Sequence, residues 1–138
     1  MKMENDTLTD LVAYLRHYAM EYLETNQIDV YIDIDEVETD ILISGESRRH
    51  IFLIFKEALH NIVKHAETEK VEIAIRIVDE QLQIRIRDFG KGLPEDEPGK
   101  KFRNGMKTMQ RRVQQLTGRM KLVNAHPGVE IEVEFPLR

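Results

Sequence analysis

The stretch FKEALHNIVKHA, residues Phe55–Ala66, combines the periodicity of a helix with a polar stripe. Glu57, Asn61 and Lys64 follow one another at steps of four and three residues, so they share one face of the predicted helix. Most of the residues around them, such as Ala58 and Ile62, are apolar and favour burial. Taken alone, the stripe is compatible with a solvated face or a satisfied polar network as well as with a ligand site.

Composition indicates a soluble globular domain. The chain has 138 residues, 41% of them hydrophobic, which suits one domain with a sizeable core. A net charge of −5 gives no bulk attraction to nucleic acid or anionic lipid, and the absence of cysteine excludes disulfides and thiolate metal sites. The longest apolar run, Ile51–Phe55, is too short to cross a bilayer, and the polar N-terminus does not look like a signal peptide. We therefore expect a cytoplasmic protein without nucleic-acid or direct membrane contact.

Hydrophobic periodicity predicts three helices and about five strands. Apolar residues recur at helical spacing in two long segments and one short one, and they alternate in the segments between them. The predicted helices are Leu8–Glu24, a segment capped by Ser44 that runs to Ala66, and Met106–Leu116; the predicted strands are Ile28–Ile34, Val71–Ile77, Leu82–Ile86, Met120–Asn124 and Val129–Phe135. The expected fold class is α+β: a two-layer sandwich in which a mixed, mainly antiparallel sheet carries three helices on one face.

Two further segments carry polar residues at structurally special places. In DFGKG, residues 88–92, Asp88 continues the inward face of a strand, so its carboxylate needs donors, and Gly90 and Gly92 remove side chains just beyond it. In NGMKTMQRRV, residues 104–113, Gly105 is predicted to open a helix whose free N–H groups suit an anion. Three cations precede it, Lys100, Lys101 and Arg103.

In this order and spacing the three segments resemble the nucleotide-binding domain of the GHKL ATPase and kinase superfamily, with its Bergerat-like fold. KEALHNIVKHA, residues 56–66, is similar to the N box, DFGKG to the first glycine box, and NGMKTMQRRVQQLTG, residues 104–118, to the second. The match is nearest to two-component sensor histidine kinases with short ATP lids. The resemblance implies ATP and Mg²⁺ as ligands, and transfer of the γ-phosphate to a histidine.

The resemblance also implies roles for the stripe of the N box. Asn61 would ligate Mg²⁺ through its side-chain oxygen, as a hard cation prefers. Lys64 would contact phosphate oxygens. Glu57 would hold a magnesium-bound water, assist proton movement or only orient Asn61.

The glycine boxes acquire roles in the same way. Asp88 would accept a hydrogen bond from the exocyclic amine of adenine, and Gly90 and Gly92 would let the backbone approach the base. Gly105 and Met106 would place the start of a helix beside the phosphates. The three preceding cations are candidates for lid contacts or a solvated charge run.

The pattern departs from the family in three places. Val129 stands where a threonine is usual in the last glycine box, and His60 stands where a small or hydroxyl residue is frequent. The five histidines, His17, His50, His60, His65 and His126, are not followed by an acid, as the phosphoacceptor of these kinases is. We therefore expect residues 1–26 to be a linker helix from an absent dimerisation domain, and residues 27–138 to be the catalytic domain. The partners implied are the histidine-bearing domain of a parent kinase, anchored in the inner membrane, and a response regulator downstream.

Two other readings remain open at this point. A stand-alone serine kinase of the anti-sigma-factor type shares the fold and the length, although its chain starts with a strand. A non-catalytic nucleotide-sensing module is the second alternative, to which Val129 gives slight support.

Overall fold

The computed structural model of the protein describes residues 7–37, 41–92 and 100–137, with the backbone alone described for residues 100–105. These residues form three helices and five strands. They are α1 (Leu8–Thr25), β1 (Asp29–Ile34), α2 (Gly45–His65), β2 (Lys70–Val78), β3 (Gln81–Asp88), α3 (Lys100–Gln115), β4 (Arg119–Asn124) and β5 (Val129–Pro136).

The five strands form one mixed sheet in the order β1-β2-β3-β5-β4. β1 pairs with β2 in parallel, with Ile32 opposite Ile73, and the other three pairs are antiparallel. The parallel pair requires a crossover connection, which α2 supplies. The predicted fold class is confirmed.

One face of the sheet and the three helices share a single hydrophobic core. Strand residues that alternate along β2, β3 and β5, such as Ile75, Ile84 and Val133, are buried with apolar residues of the helices. α1 contributes Leu8, Leu15, Ala19 and Leu23, whose exposed fractions are all 0%. α1 is therefore packed into the same core as the sheet.

Both long helices begin with a side-chain cap, and the cap at Ser44 was predicted. The Ser44 hydroxyl accepts from the Ser47 N–H at 3.0 Å, and the Thr7 side chain accepts from the Asp10 N–H at 3.2 Å. Each bond satisfies one of the free N–H groups of a helix start.

α3 begins earlier than its sequence predicts. The helix starts at Lys100, so Gly105 lies inside it, and the expectation that Gly105 opens the helix is wrong. Lysine and arginine are good helix formers, and a helix nucleated by the buried residues Met106, Met109 and Val113 extends backwards through them. A glycine inside a helix costs roughly 0.5–1 kcal/mol, which does not stop such an extension.

None of the helices described for residues 7–37, 41–92 and 100–137 is both long and apolar enough to cross a membrane.

Candidate nucleotide site

Asn61 lies in the C-terminal half of α2 and is buried, with an exposed fraction of 8%. The helix packs Ala58 and Ile62 into the core, and this places the adjacent Asn61 at the rim of the core. Its Nδ2 atom is buried and has no hydrogen-bond partner among the residues that the structure describes. A buried amide N–H without a partner costs about 1–3 kcal/mol, so this position is expensive unless the side chain serves a ligand.

The other two members of the polar stripe are more accessible. Glu57 is half-buried, and Lys64 is exposed in the last turn of α2. Along the stripe, a partly buried carboxylate is therefore followed by a buried amide and then by an exposed cation. A cation at a helix C-terminus is also favoured by the helix dipole, and this gives Lys64 a structural reason to be there.

Asp88 is the last residue of β3 and is 3% exposed. Its Oδ1 accepts hydrogen bonds from the Gly90 N–H at 2.9 Å and from the Val129 N–H at 3.3 Å. Burial raises the pKa of the Asp88 carboxyl above its usual value, and the two N–H donors and nearby Arg87 oppose that rise. The donors that the sequence led us to expect are thus backbone groups from the loop after β3 and from the start of β5.

The end of β3 is tied to the end of α2 by main-chain contacts. The Lys91 N–H donates to the carbonyl oxygen of Ala66 at 2.8 Å. A Cβ on Gly90 would lie 1.8 Å from the same oxygen, so only glycine permits this approach. The structure therefore brings the helix that carries Asn61 next to the loop that follows Asp88.

Gly92 and Gly128 have backbone conformations that favour glycine. Gly92 has φ +89° and lies beside Asn124. Gly128 has φ +88°, and a Cβ on it would overlap the backbone of Asp88. Gly128 lies in the turn between β4 and β5, immediately before Val129 of the last glycine box. The Pro127-Gly128 pair was a signal for a turn, but not for contact with a residue 40 positions earlier.

Two further groups next to Asp88 were missed. The Thr68 hydroxyl accepts from the Phe89 N–H at 3.0 Å, and it anchors the backbone just after Asp88. The Phe89 ring lies between two cations, with Lys70 Nζ 4.3 Å and Arg87 Cζ 4.4 Å from its centroid. No local pattern predicts the contacts with Thr68 and Lys70, because each depends on pairing between strands, whereas Arg87 lies two residues before Phe89 in the same segment.

Val129 keeps a contact with the carboxylate although its side chain is not a threonine. The bond to Asp88 is made by the Val129 backbone N–H, while the side chain is 8% exposed. The departure from the usual glycine box therefore removes a hydroxyl but leaves the backbone donor in place.

Of the predicted residues in α3, only Met106 has a described side chain. Its side chain is 7% exposed and packs in the hydrophobic core. The side chains of Lys100, Lys101 and Arg103 and the surroundings of Gly105 lie outside the described residues, as do residues 93–99 of the loop. Roles of these residues toward a nucleotide stay predictions.

The donor set fits a metal that is held mainly by its nucleotide. Across residues 7–37, 41–92 and 106–137 no group of three or more acidic, histidine or cysteine side chains could hold a metal ion. Mg²⁺ commonly takes one or two protein ligands and completes its shell with phosphates and water. A single buried amide such as that of Asn61, with the buried acceptor Asp88 and the glycine-lined backbone nearby, suits a magnesium nucleotide better than a free ion.

Comparison with known proteins points the same way. The chain is 30% identical over 118 residues to the sensor histidine kinase LiaS of Bacillus subtilis, covering 85% of this chain and 31% of that protein. It is 34% identical over 151 aligned positions to the sensor protein VraS of Staphylococcus aureus, covering 99% and 43% respectively. The chain thus spans less than half the length of these curated relatives.

The fold has solved counterparts. The histidine kinase domain of the blue-light activated histidine kinase from Erythrobacter litoralis EL346 superposes with a TM-score of 0.76 at 25% identity, covering 92% of this chain and 61% of that one. The sequence model described as "Histidine kinase-, DNA gyrase B-, and HSP90-like ATPase" matches residues 46–138. The family expected from the three motifs is confirmed. The chain belongs to the histidine kinase-, DNA gyrase B- and HSP90-like ATPases, as an ATP-binding catalytic domain of the histidine kinase type.

Proposed function

We propose that this domain binds magnesium-ATP beside α2 and the end of β3, and transfers the γ-phosphate to a histidine on a separate helical domain of its parent kinase. The observation that carries the proposal is the pair of buried polar groups on adjoining elements: the unpartnered amide of Asn61 and the carboxylate of Asp88. Both are costly to bury: a phosphate oxygen would accept from the Asn61 Nδ2, the amide oxygen would face the metal, and the adenine amine would donate to Asp88.

In this proposal each residue of the site has one task. Asp88 accepts from the exocyclic amine of adenine, while its two backbone donors hold the carboxylate in place. Asn61 offers its oxygen to Mg²⁺, and Lys64 offers a positive charge to the phosphates. Bound Mg²⁺ would supply charge neutralisation for the transferring phosphoryl group. Glu57, half-buried one turn before Asn61, orients the amide or a metal-bound water.

The phosphoacceptor is proposed to lie on another domain. None of the five histidines of these 138 residues precedes an acid, and His17 is exposed on α1. We therefore assign residues 1–26 as the connection to a dimerisation domain and residues 27–138 as the catalytic domain. The parent would be a sensor anchored in the inner membrane, with this domain in the cytoplasm and a response regulator as the next phosphate acceptor.

The test is phosphate transfer between separated parts. The protein is mixed with the separately expressed histidine-bearing helical domain of its parent and with γ-labelled ATP. We expect acid-labile label on the helical domain, no label on this chain alone, and no transfer with the Asn61→Ala variant. Acid-stable label on serine of an added protein would favour the serine-kinase alternative, and ATP binding without any transfer would favour the nucleotide-sensing alternative.

A simpler measurement tests the binding step. Magnesium with a non-hydrolysable ATP analogue at about a hundredfold its dissociation constant should add about 2.7 kcal/mol of stability. For a domain of this size the melting temperature should rise by roughly several degrees. No rise at millimolar analogue would contradict the proposal.

A further inference from the structure

A ladder of aromatic rings joins α1 to α2 on the flank of α2 that carries His60. The Tyr18 hydroxyl lies 2.8 Å from His60 Nε2, within hydrogen-bond distance. The Tyr22 ring stacks on the imidazole at a centroid distance of 4.5 Å and an interplanar angle of 19°. Tyr18 in turn packs edge-on against Phe52, about two helical turns before His60 on α2, at a centroid distance of 5.2 Å. His60 is therefore held by two rings of α1.

His60 and Asn61 are consecutive on α2, so their side chains leave the helix about 100° apart. His60 contacts Tyr18 and Tyr22 of α1, and the Asn61 side chain leaves α2 on a different side of the helix. One helical residue thus carries the contact with α1, and the next carries the proposed metal ligand.

The Asn61 side chain is buried, with an exposed fraction of 8%, so packing and the α2 backbone fix its direction. Its Nδ2 atom has no hydrogen-bond partner among the described residues. Ligands of metals and substrates usually depend on neighbouring hydrogen bonds for their orientation. Without such a bond, the direction of the amide depends on the position and rotation of the α2 backbone at residues 60 and 61.

We propose that His60, clamped by Tyr18 and Tyr22 of α1, is a positioning residue that sets the orientation of Asn61 toward magnesium-bound nucleotide. The inference rests on the proposed function, and it gives a task to the histidine that departs from the family pattern. It also makes the proposed metal ligand sensitive to α1, because the clamp belongs to that helix. Catalytic geometries tolerate errors of only about 0.5 Å and 10–20°.

The first test removes the hydroxyl that bonds to His60. Tyr18→Phe keeps the ring and its stacking, and Tyr14→Phe makes the same change on an exposed tyrosine of α1 that packs on Phe52 at 5.1 Å. Calorimetric titration of ATP with and without Mg²⁺ gives the increase in affinity that magnesium provides. We expect Tyr18→Phe to reduce this increase about three- to tenfold, with magnesium-free affinity nearly unchanged. Tyr14→Phe should leave both values at those of the wild type.

A second pair of variants tests the imidazole itself. His60→Gln retains a polar group that can bond to Tyr18, whereas His60→Leu fills the same space without one. The magnesium-dependent increase should be largely kept by His60→Gln and lost by His60→Leu. In ligand-free protein, the side-chain amide NMR signal of Asn61 should shift or broaden in Tyr18→Phe and His60→Leu, and not in Tyr14→Phe.

Contrary outcomes are distinguishable. Equal losses of affinity with and without Mg²⁺ would show that the ladder only stabilises the fold, and an unchanged magnesium increase in both His60 variants would also overturn the inference. If the wild-type protein shows no magnesium-dependent increase, the proposed function fails and the inference fails with it. A normal wild-type increase with normal variants contradicts the inference alone.

Discussion

Gly128 lies directly against Asp88: a Cβ at position 128 would be 1.9 Å from the Asp88 carbonyl oxygen and 2.8 Å from its Oδ1. The turn between β4 and β5 is thus fitted to the residue that we expect to read the nucleotide base. Its backbone supplies the Val129 N–H to the same carboxylate. The turn that contains Gly128 therefore supports Asp88 from the far end of the chain.

Gly128→Ala should therefore damage both stability and nucleotide binding. The left-handed backbone at φ +88° costs an alanine about 1–3 kcal/mol, and overlap with the Asp88 backbone adds to it. Denaturant unfolding measures the loss. Gly45→Ala is the matched control, since a Cβ there meets nothing within 4 Å, and its stability should be equal to or above that of the wild type. Equal stability of the two variants would contradict the fitted turn.

Asn61→Ala should remove the magnesium-dependent part of ATP affinity while the fold persists. The Asn61 Nδ2 has no hydrogen-bond partner in the described part of the chain, so truncation removes an unpartnered buried group and should cost little stability. Calorimetry with and without Mg²⁺, beside a melting curve, separates the effects. A fall in affinity that is equal in the two titrations would assign Asn61 a purely structural role.

ATP should bind more tightly than GTP because of Asp88. An ionised carboxylate only accepts hydrogen bonds, so it pairs with the amine of adenine and opposes the carbonyl of guanine. A hydrogen bond to a charged group contributes roughly 1.5–3 kcal/mol, and its loss corresponds to a preference of at least about tenfold. Asp88→Asn should lower the affinity for ATP, and it should reduce the repulsion that opposes GTP binding. Equal binding of both nucleotides by the wild type would show that Asp88 does not read the base.

The preference for adenine should decline on acidification earlier than an ordinary aspartate would allow. Burial raises the pKa of Asp88, so the free site takes up a proton at a higher pH than a solvated carboxyl does. Protonation turns an acceptor into a donor. It therefore weakens the binding of ATP and removes the repulsion between Asp88 and the carbonyl of guanine. The ratio of the two affinities, measured from pH 8 downwards, cancels titration of the phosphates and should fall toward one as the pH approaches that raised pKa. In Asp88→Asn the ratio should not follow this curve.

Local sequence patterns predicted most of the fold. Alternation of apolar residues located all five strands, and Ser44 located the start of α2, because these signals depend on neighbours in sequence. The start of α3 was misplaced, since Gly105 marks a helix end only when the flanking residues do not continue the helix, and here they do.

The polar residues of the site could be predicted from the sequence. The contacts that hold the site together could not. Asn61 and Asp88 stood out because a buried amide or carboxylate contradicts its apolar surroundings. Val129, Thr68 and Tyr18 act on residues 21 to 42 positions away, through pairing of strands and helices that no single segment encodes.

Packing of α1 also bears on what must be kept together for the protein to fold. The family match starts at residue 46. Leu8 and Leu23 of α1 precede it and are fully buried, and β1, which pairs along one edge of β2, precedes it too. A recombinant fragment cut at residue 46 would lose this hydrophobic surface and leave β2 as an open strand edge, prone to aggregation. The smallest autonomous folding unit therefore includes Thr7, which caps α1 and bridges to Leu42, and it is larger than the segment recognised by its motifs.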